Sequence, residues 1–113
     1  MISQRAILLV PFPFSDQSGK KVRPVLVISN NDFNKASEDL VVVGITSNIF
    51  RDKYTSPLKS EDLDEGYLVT ESCIKVESIL KIDKGLIIKE IGKVTKNKLK
   101  EVNKILNDIV KID

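Results

Sequence analysis

The chain has 113 residues, 42% hydrophobic and 30% charged, which fits one folded domain spanning residues 1–113 and argues against disorder. It contains no histidine and one cysteine, which excludes the usual zinc sites and any intramolecular disulfide. The net charge of +2 does not by itself require a nucleic-acid partner, and the absence of tryptophan argues against a platform that stacks many bases.

The first half of the chain predicts three apolar strands separated by polar turns. Prolines alternate with phenylalanines directly after the first strand, so that segment should stay extended and lie at an edge or curl away. The third strand is rich in β-branched valine, which favours strand over helix. The predicted elements are strands at 7–10, 25–28 and 40–46, an extended segment at 11–14, a loop at 15–20, and a turn or single helical turn at 30–34.

The second half predicts further short strands and one helix. The strands are expected at 54–58, 67–69, 73–76, 79–82 and 86–91, with a turn at 83–85. No βαβ unit, internal repeat or linker is found. The sequence therefore predicts a mainly β protein with a small curled antiparallel sheet or barrel and a C-terminal helix.

The helix is predicted from a change of periodicity at Thr95, a residue suited to an N-cap. After it, apolar residues recur at helical spacing, with lysine and glutamate between them. The stripe consists of Leu99, Val102, Leu106 and Ile109, widened by Ile105, Val110 and Ile112. This stripe should pack on the sheet, and its surplus width points to a subunit contact.

Two residues carry the chemistry that the sequence predicts most directly. Arg23 enters one apolar strand and Thr46 leaves another, so the two side chains meet at a shared edge if those strands pair. A guanidinium can hold two phosphate oxygens at once, and a hydroxyl supplies a directed hydrogen bond. The pair therefore suits a phosphodiester. Two alternatives stay open: Arg23 pairs with a neighbouring carboxylate, and Thr46 bonds its own backbone.

Other polar residues near these strands are candidates for the same site. Asp16, in the loop before Arg23, is a candidate general base. The candidates for binding the nucleic acid that contains such a phosphodiester are Lys20, Lys21, Ser47, Asn48 and Ser72. The lone Cys73 lies in a strand-like stretch without a histidine to activate it, so it is predicted to be a small buried residue.

The chain resembles the MazF/PemK toxin family in the order and spacing of several motifs over almost its whole length. No single motif is specific, but together they are. The matching segments are VPFPF at 10–14, RPVLVIS at 23–29, NDFN at 31–34, ITS at 45–47, SCIKV at 72–76 and IDK at 82–84.

This resemblance implies a small barrel of the plasmid-maintenance toxin type that forms a homodimer. It implies a sequence-selective endoribonuclease, without metal or other cofactor, that cuts single-stranded RNA through the ribose 2′-hydroxyl and leaves a 2′,3′-cyclic phosphate and a 5′-hydroxyl. A cognate antitoxin peptide would block the groove, and DNA binding would occur together with that antitoxin. No apolar run is long enough to span a bilayer and no signal-peptide pattern is found, so the expected location is the cytoplasm.

One departure from the family keeps two alternatives open. A Gly-Asp pair usually precedes the first strand, and here those positions hold Arg5 and Ala6. The chain could instead be a catalytically silent regulator on this fold. It could also be a toxin that binds a protein, such as a topoisomerase, and cuts nothing.

Overall fold

The computed structural model describes residues 2–11, 21–49 and 52–113. Within these ranges the chain forms seven strands and two α-helices. The strands are β1 (Ala6–Pro11), β2 (Val22–Val27), β3 (Asp39–Thr46), β4 (Thr55–Leu58), β5 (Leu63–Gly66), β6 (Ser72–Asp83) and β7 (Lys89–Val94), and the helices are α1 (Asn31–Ala36) and α2 (Lys96–Val110). Short 3-10 helices lie at Ser60–Asp62 and Lys84–Leu86.

All the described strands belong to one antiparallel sheet in the order β4-β6-β3-β2-β1-β7-β5. The two edge strands, β4 and β5, follow each other in the chain and are separated only by residues 59–62. A connection this short can reach from one edge of the sheet to the other only if the sheet curls back on itself. The predicted curled sheet with a C-terminal helix is therefore confirmed.

The curled sheet buries apolar side chains on both faces. One core lies beneath α2 and contains Ile7, Leu26, Val43, Ile45, Leu58, Ile74, Val76, Val94 and Val102. The second core lies on the opposite face and contains Ala6, Leu8, Val10, Val25, Val27, Leu40, Val42 and Ile82. Burial on both faces explains why the central strands read as continuous apolar runs rather than as alternating ones.

The terminal helix forms as its sequence predicts. The Thr95 side chain accepts a hydrogen bond from the Lys98 backbone N–H at 3.1 Å, which is an N-cap. Val102 is fully buried, and Leu99, Leu106 and Ile109 pack against the first core. Cys73 is buried as predicted, with 2% of its surface exposed.

The short helical turn predicted near residue 30 is α1, and polar contacts hold it in place. Asn30 caps the helix by accepting from the Phe33 N–H at 2.9 Å. The buried Asn34 accepts from the Ser29 hydroxyl at 2.5 Å and donates to the Ser29 carbonyl at 2.9 Å. The Lys84 ammonium donates to the Asn34 carbonyl. The Ser29–Asn34 stretch is therefore structural and lies at the end of β2 away from Arg23.

Three details of the predicted strands are wrong. The strand predicted at 67–69 is absent, because Tyr67 and Val69 are 78% and 90% exposed, and β7 instead pairs with the polar segment Leu63–Gly66. The strands predicted at 73–76 and 79–82 are one strand with an irregularity between them. The last strand begins at Lys89, later than predicted, because the Asp83 carboxylate caps a 3-10 turn at Lys84–Leu86.

Candidate functional site

A cavity of about 490 Å³ lies at one end of β2, β3 and β6. One part of its lining is polar and charged and the other is apolar. The polar lining residues are Arg23, Thr46, Asn48, Lys75, Glu77 and Ser78. The apolar ones, with Gly44, are Pro24, Val25, Ile45, Ile79 and Leu80. A cavity of this size with one charged and one apolar part can receive a phosphate together with its sugar or base.

The structure brings Arg23 and Thr46 together in this cavity. Strand β2 pairs antiparallel with β3, and Val25 lies opposite Gly44 at the end of the paired segment. Arg23 and Thr46 each lie two residues beyond that pair, on the same face of their strands. Side chains at opposed positions of an antiparallel pair lie on the same face of the sheet. The shared edge predicted from the two strands is therefore present, and both side chains line the cavity.

The Thr46 hydroxyl has a defined orientation. Its oxygen accepts a hydrogen bond from the Asn48 backbone N–H at 3.1 Å. A threonine hydroxyl has one donor hydrogen and two acceptor lone pairs, so accepting from Asn48 leaves its O–H available to another acceptor. The local backbone contact, which was the alternative left open for Thr46, thus occurs and is compatible with phosphate binding.

Two charged residues that the sequence analysis did not single out also line the cavity. Strand β6 leaves residues 76–78 without partners on β3, because Val43 pairs with Ile79 while its neighbour Gly44 pairs with Lys75. This bulge lets Glu77 and Ser78 line the same cavity as Lys75. A signal was present in the sequence, since Lys75 lies in the predicted strand 73–76 and the charged Glu77 follows directly after it, but the bulge was not predictable.

The remaining candidates separate into three groups. Asn48 lines the cavity, whereas Ser47 and Lys21 are exposed and do not. Ser72 also lies outside the lining, and its hydroxyl donates to the Thr70 carbonyl at 3.1 Å.

Two further candidates, Asp16 and Lys20, lie outside the described residues.

The charges of the cavity favour an anionic ligand. Among the described residues that line it, Arg23 and Lys75 supply two positive charges and Glu77 supplies one negative charge. Among residues 2–11, 21–49 and 52–113, no group of three or more cysteine, aspartate or glutamate side chains is arranged to hold a metal ion. In the described part of the chain, no helix has the length and apolar character needed to cross a bilayer.

The fold, with this cavity at its sheet end, is that of a class of small toxins. Over 100% of this chain and 98% of the other, it superposes with a TM-score of 0.82 and 17% identity on an endoribonuclease in complex with its cognate antitoxin from a Mycobacterial species. The Mycobacterium tuberculosis toxin MazF-mt6 matches with a TM-score of 0.76 and 16% identity, over 96% of this chain and 99% of that one.

Sequence comparison identifies the family. The chain is 31% identical over 99 residues to the endoribonuclease MazF of Staphylococcus saprophyticus, covering 88% of this chain and 80% of that protein. The model of the PemK-like, MazF-like toxins of type II toxin–antitoxin systems matches residues 3–110. The chain belongs to this family, as its motifs predicted.

Proposed function

We propose that this toxin is an endoribonuclease that cleaves single-stranded RNA in the cavity between Arg23 and Thr46. The observation that carries the proposal is the meeting of a guanidinium and an oriented hydroxyl in one cavity with a second cation, Lys75. The relative from Staphylococcus saprophyticus, which is named an endoribonuclease, supports it. Single-stranded RNA fits such a site better than a duplex, because a phosphate and an unpaired base can enter the cavity together.

In the proposed reaction the substrate supplies its own nucleophile. The ribose 2′-oxygen attacks the adjacent phosphorus, the bond to the 5′-oxygen breaks, and the products are a 2′,3′-cyclic phosphate and a 5′-hydroxyl. Arg23 binds the two non-bridging oxygens, and the Thr46 hydroxyl donates to one of them. These contacts stabilise the negative charge that develops on the non-bridging oxygens as the 2′-oxygen attacks. The reaction needs no redox step, and we propose that it proceeds without a metal.

Two proton transfers complete the reaction. The 2′-hydroxyl must lose a proton and the 5′-oxygen must gain one, and the chain has no histidine for either task. Among the described residues that line the cavity, Glu77 supplies a carboxylate and Lys75 an ammonium. We assign Glu77 as the acceptor of the 2′-proton and Lys75 as the donor to the leaving oxygen. Arg23 is assigned to phosphate binding, because a guanidinium is a poor proton donor in water.

The test is cleavage of a long single-stranded RNA by purified protein in the presence of EDTA. Wild type should give discrete fragments whose new 5′ ends carry hydroxyls, and Arg23→Ala should reduce the rate by about 10²–10³-fold, as expected for the loss of one charge-stabilising contact. Lys100→Ala, which removes an exposed cation on α2, is the matched control and should cut like wild type. Absence of cutting by folded wild type would favour the protein-binding toxin or the silent regulator.

The proposed partners are a cognate antitoxin and a second copy of the chain. The Mycobacterial endoribonuclease whose fold matches was solved with its cognate antitoxin, which supports an antitoxin for this toxin. The exposed Val110 and Ile112 at the end of α2 support a subunit contact. Light scattering at micromolar concentration should give the dimer mass, and a monomer would contradict the homodimer. DNA binding with the antitoxin and a cytoplasmic location stay predictions.

A further inference from the structure

Helix α2 carries a buried lysine, Lys98, on the side that packs against the sheet. Only 6% of the Lys98 side chain is exposed, although lysine is rarely buried without partners. Its ammonium donates to the Pro57 carbonyl at 2.7 Å and to the Ser56 hydroxyl at 3.1 Å, and it lies 3.3 Å from both carboxylate oxygens of Glu101. The Ser56 hydroxyl in turn donates to Glu101 at 2.5 Å. We call Lys98, Ser56, Pro57 and Glu101 the Lys98 cluster.

The Lys98 cluster joins the two ends of the curled sheet. Ser56 and Pro57 belong to β4, one edge of the sheet. The Lys98 ammonium also lies 3.8 Å from the carboxylate of Asp62, directly before β5 at the other edge. The Asp62 carbonyl accepts from the N–H of Thr95, the cap of α2, at 2.8 Å. One ammonium thus holds α2, β4 and the turn before β5 in a fixed relation.

The position of β4 affects the β6 bulge that lines the cavity on the opposite face of the sheet. Among the described strands, β4 pairs only with β6, and Thr55 lies opposite the cavity residue Lys75. One residue further along β6, the Val76 N–H donates to the Tyr54 carbonyl at 3.0 Å. Val76 is the first residue of the bulge and Glu77 is the next. The residue directly before β4 therefore supplies a backbone contact at the point where β6 loses its partners on β3.

We propose that Lys98 is a positioning residue for RNA cleavage: by fixing β4, it holds the β6 bulge that places Glu77 in the cavity. The inference rests on the proposed function and deepens it. Residues 76–78 have no pairing to β3, and the Tyr54 carbonyl, directly before β4, accepts from the first of them, Val76. If β4 moves, Val76 and the following Glu77 lose this contact, while Lys75 stays paired with Gly44 and Arg23 and Thr46 stay in place on β2 and β3.

The first measurement is amide hydrogen exchange in Lys98→Met and Ser56→Ala. The Val76 N–H should exchange at least about 10-fold faster in both variants, because its acceptor lies next to β4. The Ile28 N–H, which donates to the Val41 carbonyl at 3.0 Å, should keep its protection. Lys104→Met makes the same chemical change at an exposed position of α2 and should leave both amides unchanged. Ser56→Ala removes only a hydroxyl, so it tests the link if Lys98→Met folds poorly.

The second measurement is RNA cleavage by the same proteins. In Lys98→Met, kcat should fall by about 10²-fold, the typical cost of displacing a reacting group by about 1 Å, with little change in KM, since Arg23 and Thr46 still bind the phosphate. Equal acceleration of exchange at Val76 and Ile28 would overturn the inference, because Lys98 would then serve only general stability. An unchanged kcat with a deprotected Val76 would overturn it too.

The two measurements separate the inference from the proposed function. If wild type cuts no RNA, the proposed function fails, whereas the exchange experiment still reports whether Lys98 supports the bulge. Protection of Val76 that is unchanged in both variants would overturn the inference even if wild type cuts RNA as proposed.

Discussion

Arg5 offers the sharpest test of how this chain departs from its family. Its φ angle is +83°, in the left-handed region that favours glycine, and it is the only non-glycine residue in that region among those the structure describes. Its backbone is fixed on both sides, since its N–H donates to the Val27 carbonyl at 3.0 Å and its carbonyl accepts from the Val94 N–H at 2.9 Å. The side chain donates to the Asp64 carboxylate and to the Val94 carbonyl, both at 2.8 Å.

These contacts allow the effects of two substitutions to be separated. Arg5→Ala keeps the left-handed backbone but loses both side-chain hydrogen bonds. The contact with Asp64 is half exposed and contributes at most about 1 kcal/mol, and the bond to Val94 adds roughly 1–2 kcal/mol. Arg5→Gly loses the same bonds but relieves a backbone cost of roughly 1–2 kcal/mol, offset in part by the greater freedom of glycine in the unfolded chain.

We therefore expect Arg5→Ala to lower the free energy of unfolding by about 1–3 kcal/mol and Arg5→Gly to lower it by about 1 kcal/mol less. Urea unfolding followed by circular dichroism measures both, with Asp64→Asn as the control for the exposed contact alone. An alanine variant as stable as the glycine variant would refute the argument from backbone strain.

The same variants address whether the departure at Arg5 silences the toxin. Arg5 lies beside Val27, at the end of β2 away from Arg23, and is not part of the cavity lining. RNA cleavage per folded molecule should therefore be unchanged in Arg5→Gly. A large gain of activity in that variant would show that Arg5 restrains the site.

Three further predictions concern other parts of the molecule. Thr46→Val should reduce kcat by about 10²–10³-fold and Thr46→Ser by much less, since serine keeps the O–H donor; single-turnover cleavage measures both, and equal losses would contradict a hydroxyl role. Gly66 has a φ of +84°, and an added Cβ would lie 2.4 Å from the Ile91 carbonyl oxygen, so Gly66→Ala should destabilise the fold by more than about 1–2 kcal/mol in thermal or urea unfolding. Burial raises the pKa of Glu101, but the Ser56 hydrogen bond and the Lys98 charge outweigh it and hold the pKa below its ordinary value of 4.5. The ionised group thus stabilises the fold above about pH 4.5, and this contribution should fade as the pH falls through the lowered pKa; unfolding across pH 3–6 should show a weaker acid dependence in Glu101→Gln.

Local patterns predicted the parts of the fold that neighbouring residues decide. The cap at Thr95 and the stripe from Leu99 to Ile109 depend on contacts within a few turns, so the helix was predictable. The apolar runs of β2 and β3 are long enough to be identified as strands in the absence of any partner. The edge strand β5 was missed because Leu63–Gly66 contains two acidic residues and a glycine, which do not favour a strand, and it is a strand through its pairing with β7.

The sequence by itself determined that Arg23 begins one buried strand and Thr46 ends another, so pairing of those strands was enough to bring them together. Only the tertiary structure decided that Lys75 and Glu77 join them and that Lys98 is buried beneath β4. The physical reason is that side chains alternate regularly between the two faces of a sheet only where the strand is regularly paired. The β6 bulge changes that pairing, and the curl of the sheet brings distant oxygens around one ammonium.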